Sequence, residues 1–211
     1  MTYDLIIVAQ STTPRLVQMT QDCIDSSKAD NVILIETGTA VDYSGVDRVV
    51  RYAGDFNYNR ALNMGLEYAN NDIHILANND LIFYNYKTIG EDMISHGFGS
   101  ASAWYNGCAF DQGSYIYEGY NIATHITGWC LFITSEALSK IGKINEKVEF
   151  WYSDNVYADQ LKAAGIRHGL FCNARVDHIG SQTLSTVSVK LKRYYSLGQL
   201  PKYHTSCGRK R

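Results

Sequence analysis

Four groups of residues have the types and spacing to do chemistry. In "ILANNDLIFYN" (75–85) an apolar run delivers Asn78, Asn79 and Asp80 before apolar and aromatic residues resume. Asn and Asp favour turns because their side chains bond to nearby backbone. The alternative is a ligand site. A carboxylate leaving a strand can hold Mg²⁺ or Mn²⁺, which take oxygen ligands and bridge diphosphate oxygens. Asn78 and Asn79 would add neutral donors and acceptors for ribose or phosphate. In "FWYSD", Asp154 follows Trp151 and Tyr152 at a helix start. It either complements the helix dipole or serves as a general base for a sugar hydroxyl. His178, in "VDHIGSQT", is a surface residue unless the fold brings it to Asp80. In "FNYNRALNMG", Asn57, Asn59, Arg60 and Asn63 form a polar face. It is solvated, or Arg60 pairs with a phosphate or with Asp80.

The elements that must position these groups alternate between strand and helix. "DLIIVAQ" (4–10) and "NVILIETG" (31–38, ending in Glu36) read as buried strands, and "VDRVVRYAG" (46–54) as a more exposed one. Thr12 or Thr13 caps a helix opened by Pro14, with Leu16, Met19, Cys23 and Ile24 at helical spacing. Apolar positions 58, 61, 62, 65, 66 and 69 mark a second helix. "DIHILA" (72–77) is the strand that delivers Asn78-Asn79-Asp80. Further on come a strand over 98–105, a Gly/Tyr/Asn-rich loop over 106–127 and a strand and helix in "TGWCLFITSEALSKIG". A helix over 153–165, a strand in "IRHGLFCN", a loop in "ARVDHIGSQT" and a helix over 184–197 complete the chain. The pattern predicts an α/β fold, a mostly parallel sheet flanked by helices. Ligands bind such sheets at the carboxyl ends of the strands, where residues 9–12, 36 and 78–80 would all lie.

Composition limits the classes. A chain of 211 residues with 45% hydrophobic content suits one compact α/β unit. No apolar run is long enough for a membrane span. The first residues, MTYDLIIVAQ, enter a strand without a signal-peptide pattern, so the expected location is cytoplasmic. Five scattered cysteines without a CxxC pair argue for reduced thiols rather than zinc or a disulfide framework. Residues 1–177 hold twelve basic against twenty-one acidic side chains, and the remainder holds seven basic and no acidic ones. That basic tail is a solvated end, or it faces an anionic ligand, membrane, nucleic acid or another domain. Sixteen tyrosines among twenty-six aromatics suit sugar stacking as well as interfaces.

The order of the pieces resembles the glycosyltransferases of the GT-A fold, particularly the large family typified by bacterial rhamnosyltransferases. The resemblance spans about residues 3–183. It rests on "IIVAQSTTPRLVQMTQDCIDS", "VILIETGT", "FNYNRALNMGLEYANND", the DxD-type "LANND", "TGWCLFITSEALSKIGKINEKVEFWYSDNVYADQLKAAG" and "VDHIGSQT". A weaker likeness is to virus-encoded glycosyltransferase domains of chlorella viruses, implying a viral glycoprotein glycan as target and action in the host cell.

The resemblance implies a nucleotide-binding half over about 1–100, an acceptor and catalytic half over about 101–183, and a C-terminal helix and tail over 184–211. The chain would be one domain, possible also as a piece of a longer polypeptide. Ala9, Gln10, Ser11 and Glu36 would hold the base, and Asn57 and Arg60 would lie near the nucleotide and diphosphate. Asn78 and Asp80 fill the outer DxD positions, with Asp80 and His178 at the metal, Mn²⁺ or Mg²⁺. Gly128 and Trp129 would border the acceptor pocket, and Asp154 would be the catalytic base. Trp104, Trp129, Trp151 and Tyr152 are the candidates for sugar stacking. Two departures stand out: Asn78 replaces the first DxD carboxylate, and Ser153 replaces the first residue of the usual Glu-Asp pair.

The implied activity is metal-dependent transfer from a nucleotide-diphosphate sugar, most simply a uridine one, to a hydroxyl of a glycan or glycoprotein. A sugar-phosphate nucleotidyltransferase would need a glycine-rich loop after the first strand, and "AQSTTPRL" has no glycine. A non-catalytic sugar-nucleotide-binding module fits the reduced acidic motifs. No GxGxxG follows a strand, which disfavours a dinucleotide oxidoreductase. Nucleic-acid binding would rest on the basic tail alone.

Overall fold

The computed structural model describes residues 1–180 and 197–206. Among them, in chain order, run β1 (Tyr3–Ala9), α1 (Pro14–Ser27), β2 (Asn31–Glu36), β3 (Arg48–Arg51), α2 (Tyr58–Leu66) and β4 (Ile73–Asn78). Then follow β5 (Leu81–Asn85), α3 (Ile89–Ser95), β6 (Ser100–Trp104), β7 (Ile116–Glu118), β8 (Cys130–Thr134) and α4 (Ser135–Ile141). The last are α5 (Ser153–Ala163), β9 (His168–His178) and α6 (Leu200–Ser206).

One sheet joins the strands in the order β3-β2-β1-β4-β8-β6-β9-β5, with β7 also on β9. Its first half is parallel: β1 lies between β2 and β4, and β3 extends β2. All seven residues of β1 are buried, the pattern of a strand covered on both faces. Beyond β4 the sheet is mixed, with β8 antiparallel to β4 and β6 parallel to β9. One face packs against α1 and carries Leu5, Ile7, Phe83, Phe132 and Val176. The other packs against α2, α4 and α5 and carries Ile6, Ile33, Leu76, Leu131 and Ile133. The expected α/β architecture, a sheet with helices on both faces, is what the chain forms.

Local chemistry explains the ends. Thr13 caps α1 by accepting from the Leu16 amide at 3.3 Å, with Pro14 in the first turn. Asn57 caps α2 through the Arg60 amide at 3.0 Å. Helix α2 lies close on β1 because Gly65 has no side chain; a Cβ there would collide with Ile6 Cγ2.

Several sequence expectations need correction. The strand predicted over "IRHGLFCN" continues to His178, so "ARVDH" is strand and not loop. "LIFYN" pairs with that extension as β5. The segment 106–127 includes the short strand β7. Helices α3 and α6 have too few periodic positions to show in sequence. The predicted helix over 184–197 lies, apart from its last residue, outside the described residues, as does most of the basic tail. No described helix is long and apolar enough to cross a membrane.

Candidate functional site

The parallel register brings the expected residues to one edge. Ala9 aligns with Glu36 and Val8 with Asn78, so β1, β2 and β4 end together. Beyond β4 the chain turns through Asn79 and Asp80 into β5, where Leu81 aligns with His178. That pairing places two distant residues side by side: His178 Nε2 lies 3.1 Å from Asp80 Oδ1. Both atoms are buried and neither has a hydrogen-bond partner. The His178 ring stacks on Trp129 at 5.1 Å between centroids, with 13° between planes. Tyr105 packs edge-on against the same indole at 5.3 Å, and the Trp129 carbonyl accepts from the Asn78 amide at 2.9 Å.

Asp154 opens α5. The residue before the helix, Tyr152, two positions ahead of Asp154, sits at φ 69°, a left-handed conformation unusual for a residue with a side chain. Such turns are strained and persist where surrounding packing fixes them. Here Tyr152 stacks flat on Tyr203 of α6, with 5.5 Å between centroids. The carboxylate faces Gly128: a Cβ on that glycine would fall 2.8 Å from Asp154 Cβ and 3.1 Å from Oδ2. Burial raises the Asp154 pKa above the ordinary carboxylate range, and the Asn155 amide, donating at 2.9 Å, offsets part of that rise. Beside it, a cavity of about 10 Å³ is lined by Tyr58, Gly128, Leu131, Asp154 and Tyr157 among others. Tyr58 lines this cavity with Asp154 and reaches the end of β4. Its hydroxyl donates to Asn78 Oδ1 at 2.8 Å. Burial drives its pKa far upward, and the charges of Asp80 and Asp154 act in the same direction.

The residues expected at the base are arranged differently. Glu36 is buried, and its carboxylate accepts from the Ser11 amide at 3.0 Å, the Gly38 amide at 2.6 Å and the Ser11 hydroxyl. Tyr43 in turn bonds to Ser11 Oγ. Glu36 thus shapes the 9–11 and 36–38 turns, with Ala9 and Gln10 on the same edge.

Other expected residues are engaged elsewhere. Asn79 is buried and donates to Thr20 Oγ1 at 2.9 Å, fastening the turn to α1. Asn57, besides capping α2, donates to the Glu146 carbonyl at 2.8 Å. Arg60 pairs with Glu146 Oε2 at 3.0 Å, not with Asp80. Asn59 and Asn63 hold the carbonyls of Asn145 and Ile144. The polar face of α2 therefore clamps the 144–149 segment. The Trp104 indole donates to the Phe110 carbonyl at 2.8 Å, and Trp151 is exposed. Sequence reasoning missed Tyr43, Tyr58, Tyr105 and Tyr203. Tyr58 was legible only as an apolar helix position, because nothing local shows that its hydroxyl reaches Asn78.

No family model matches the sequence, and no curated protein sequence matches it. Solved structures do. The crystal structure of GalNAc-T7 with UDP, GalNAc and Mn²⁺ superposes with a TM-score of 0.66 at 12% identity, over 84% of this chain and 43% of that one. The mannosyltransferase PcManGT from Pyrobaculum calidifontis, in complex with GDP-Man and Mn²⁺, gives 0.64 at 12% identity, over 99% and 64%. A mycobacterial protein gives 0.61 at 13% identity, over 100% and 76%. The fold is that of the GT-A glycosyltransferases. The chain spans less than two thirds of the first two of these proteins.

Among the described residues no group of three or more His, Cys, Asp or Glu converges. Asp80 and His178 nonetheless fit a divalent ion. An oxygen and an imidazole nitrogen, both buried, face each other without a hydrogen bond. Mn²⁺ accepts this mixed donor set and takes its remaining ligands from water and phosphate.

Proposed function

We propose that the chain is a metal-dependent glycosyltransferase. It moves a sugar from a nucleotide-diphosphate sugar, with uridine as the base, to a hydroxyl of a glycan or glycoprotein. The observation that carries this reading is the orphaned Asp80–His178 pair at the carboxyl edge of a GT-A sheet. The two neighbours solved with nucleotides and Mn²⁺ add to it.

In this reading Asp80 and His178 hold Mn²⁺ or Mg²⁺, which supplies positive charge to a departing diphosphate. Tyr58 fixes Asn78 at the rim through its hydroxyl. The Glu36-ordered turns at Ala9, Gln10 and Ser11 receive the base and ribose, while Asn57, Arg60 and Asn79 stiffen the frame. Asp154 takes the proton from the acceptor hydroxyl. Its raised pKa makes it a stronger base than an exposed aspartate. Gly128 leaves the acceptor room beside that carboxylate. Trp129, braced by His178 and Tyr105, offers a ring for a sugar. Residues 1–100 then serve the donor and 101–183 the acceptor, within a protein open to further domains.

A thermal-shift screen of nucleotide sugars with and without Mn²⁺ tests the reading. Stabilisation by mass action requires binding to the folded state, so it should appear for a nucleotide diphosphate with Mn²⁺. No shift for any nucleotide overturns the proposal. A second reading, a non-catalytic sugar-nucleotide-binding module, is favoured by Asn78 and Ser153 standing where the family pattern carries acids. Slow hydrolysis of the bound donor separates the two, since only an enzyme releases free sugar.

A further inference from the structure

The far edge of the sheet carries a cluster that the site above does not use. Strand β9 pairs irregularly with both neighbours at Arg175. The register with β5 shifts between Phe83 and Asn85, leaving Tyr84 as the extra residue. The register with β6 shifts between Ala103 and Trp104, which aligns with Arg175. Such bulges re-aim side chains. The Arg175 guanidinium lies 4.5 Å from the Tyr84 ring centroid and 5.5 Å from that of Trp104. Asp177 fixes it from the same face of the strand, taking Nη2 at 2.5 Å and Nε at 3.2 Å. Asp177 also accepts from the Asn106 amide at 2.9 Å. Nη1 has no hydrogen-bond partner among the described residues, and Tyr84 is 57% exposed.

We propose that Tyr84, Arg175, Asp177 and Trp104 form a carbohydrate-binding platform for the outer sugars of an oligosaccharide acceptor. The chemistry is that of hydroxyl recognition. Aromatic rings take the C–H faces of a sugar, a guanidinium held rigid donates to its hydroxyls, and the carboxylate accepts from them. Asp177 neutralises Arg175, so the cluster has no net charge with which to hold a phosphate. Its position fits the acceptor. Arg175 and Asp177 lie on the strand face opposite Ala174 and Val176, which pack in the α1-side core. That is the sheet face on which α5, with Asp154 in its first turn, also packs. Three residues of strand separate Tyr84 from Leu81 and Arg175 from His178, about 10 Å at the usual rise. An oligosaccharide bridges that span, whereas a monosaccharide does not. The acceptor role rests on the transferase reading; the sugar contact does not.

Saturation-transfer NMR of the full chain with maltose, cellobiose, lactose, chitobiose and mannobiose tests the platform. Transfer to at least one disaccharide is expected, weakened about tenfold in Tyr84→Ala and retained in Tyr84→Phe. Arg175→Lys, which loses the planar fork, should also weaken it. Thermal stabilisation by UDP with Mn²⁺ should be equal in all of these variants. Absent transfer to every disaccharide overturns the platform, as does transfer that Tyr84→Ala leaves unchanged. Failure of UDP with Mn²⁺ to stabilise the chain would instead count against the transferase reading alone.

Discussion

Two aspartate–histidine pairs stand at opposite edges of the same sheet, and their surroundings differ in kind. At the amino edge, Asp4 meets His74 Nδ1 at 2.9 Å. The same carboxylate accepts from the side chains of Asn31 at 2.5 Å and Asn71 at 2.9 Å, and from the amides of Asn70 and Asn71 at 2.9 Å each. His74 Nε2 is 2.9 Å from the Ser135 hydroxyl, which donates to the Asn71 carbonyl at 2.6 Å. The Ser–His–Asp order invites comparison with a nucleophilic triad. The serine hydroxyl is committed to a turn, however, and every partner belongs to the fold. At the carboxyl edge, Asp80 and His178 lie 3.1 Å apart but carry no hydrogen bond. A buried pair with a full set of donors is architecture. A buried pair left short of donors carries a desolvation cost that a ligand can relieve.

The sharpest way to break that comparison is to remove each aspartate and measure stability without ligand. Asp4→Ala leaves four side-chain and backbone donors and a histidine around an empty space. Losing one partner of a buried ionic network costs about 3–5 kcal/mol, so the melting temperature should fall by many degrees. Asp80→Ala removes a buried carboxylate oxygen that faces His178 without a hydrogen bond and should leave the ligand-free melting temperature unchanged or higher. Equal losses in the two variants, read by calorimetry, would remove the distinction.

Activity gives the next largest effect. Asp154→Asn keeps the shape against Gly128 and removes the proton acceptor. Transfer should fall by about 10²–10⁴-fold, the usual contribution of a positioned base, while donor binding stays nearly intact. Near wild-type turnover in this variant would sink the assignment. Ligand binding comes third. At a nucleotide concentration one hundred times its dissociation constant, wild-type protein with Mn²⁺ should gain about 2.7 kcal/mol. Asp80→Ala should lose that gain, and His178→Ala should lose part of it. Calorimetric affinity unchanged by Asp80→Ala would refute the metal assignment.

The contrast between the two edges also explains what the sequence could reveal. The strands and helices of the first eighty residues were legible because buried parallel strands are continuous apolar runs and α2 repeats with a helical period. The topology then implied that Glu36 and Asp80 share an edge. What could not be read was whether a polar side chain arrives with its bonds already made. Asn57 and Arg60 have the composition of a ligand site, yet they grip the segment around Glu146, which lies more than eighty residues away. Asn79 sits inside the motif itself and points to Thr20. His178 ran the other way: "VDHIGSQT" reads as a loop because glycine and polar residues follow. The strand that carries it is specified by pairing with β5, a long-range partner no local pattern announces.

The smallest expected effect concerns pH, and it separates the carboxylates by sign. Burial would raise the Asp4 pKa, but hydrogen bonds from His74, Asn31 and Asn71 outweigh it and hold the group below the ordinary range. A depressed carboxylate stabilises the fold above its unfolded value, near pH 4, and loses that contribution as pH falls through the folded value. Asp154 is shifted upward by burial. It therefore favours the fold below about pH 4, and that contribution disappears as pH rises through its folded pKa. Melting temperatures across the acid range should show this directly. Asp4→Asn should be penalised most at neutral pH, with the gap to wild type closing below about pH 4. Asp154→Asn should match wild type in acid and become equal or more stable as pH rises, because it no longer ionises in a buried place. The acid limb of the transfer rate should likewise lie above an ordinary carboxylate pKa. Parallel pH profiles for the two variants would mean that the two edges of the sheet do not treat charge differently after all.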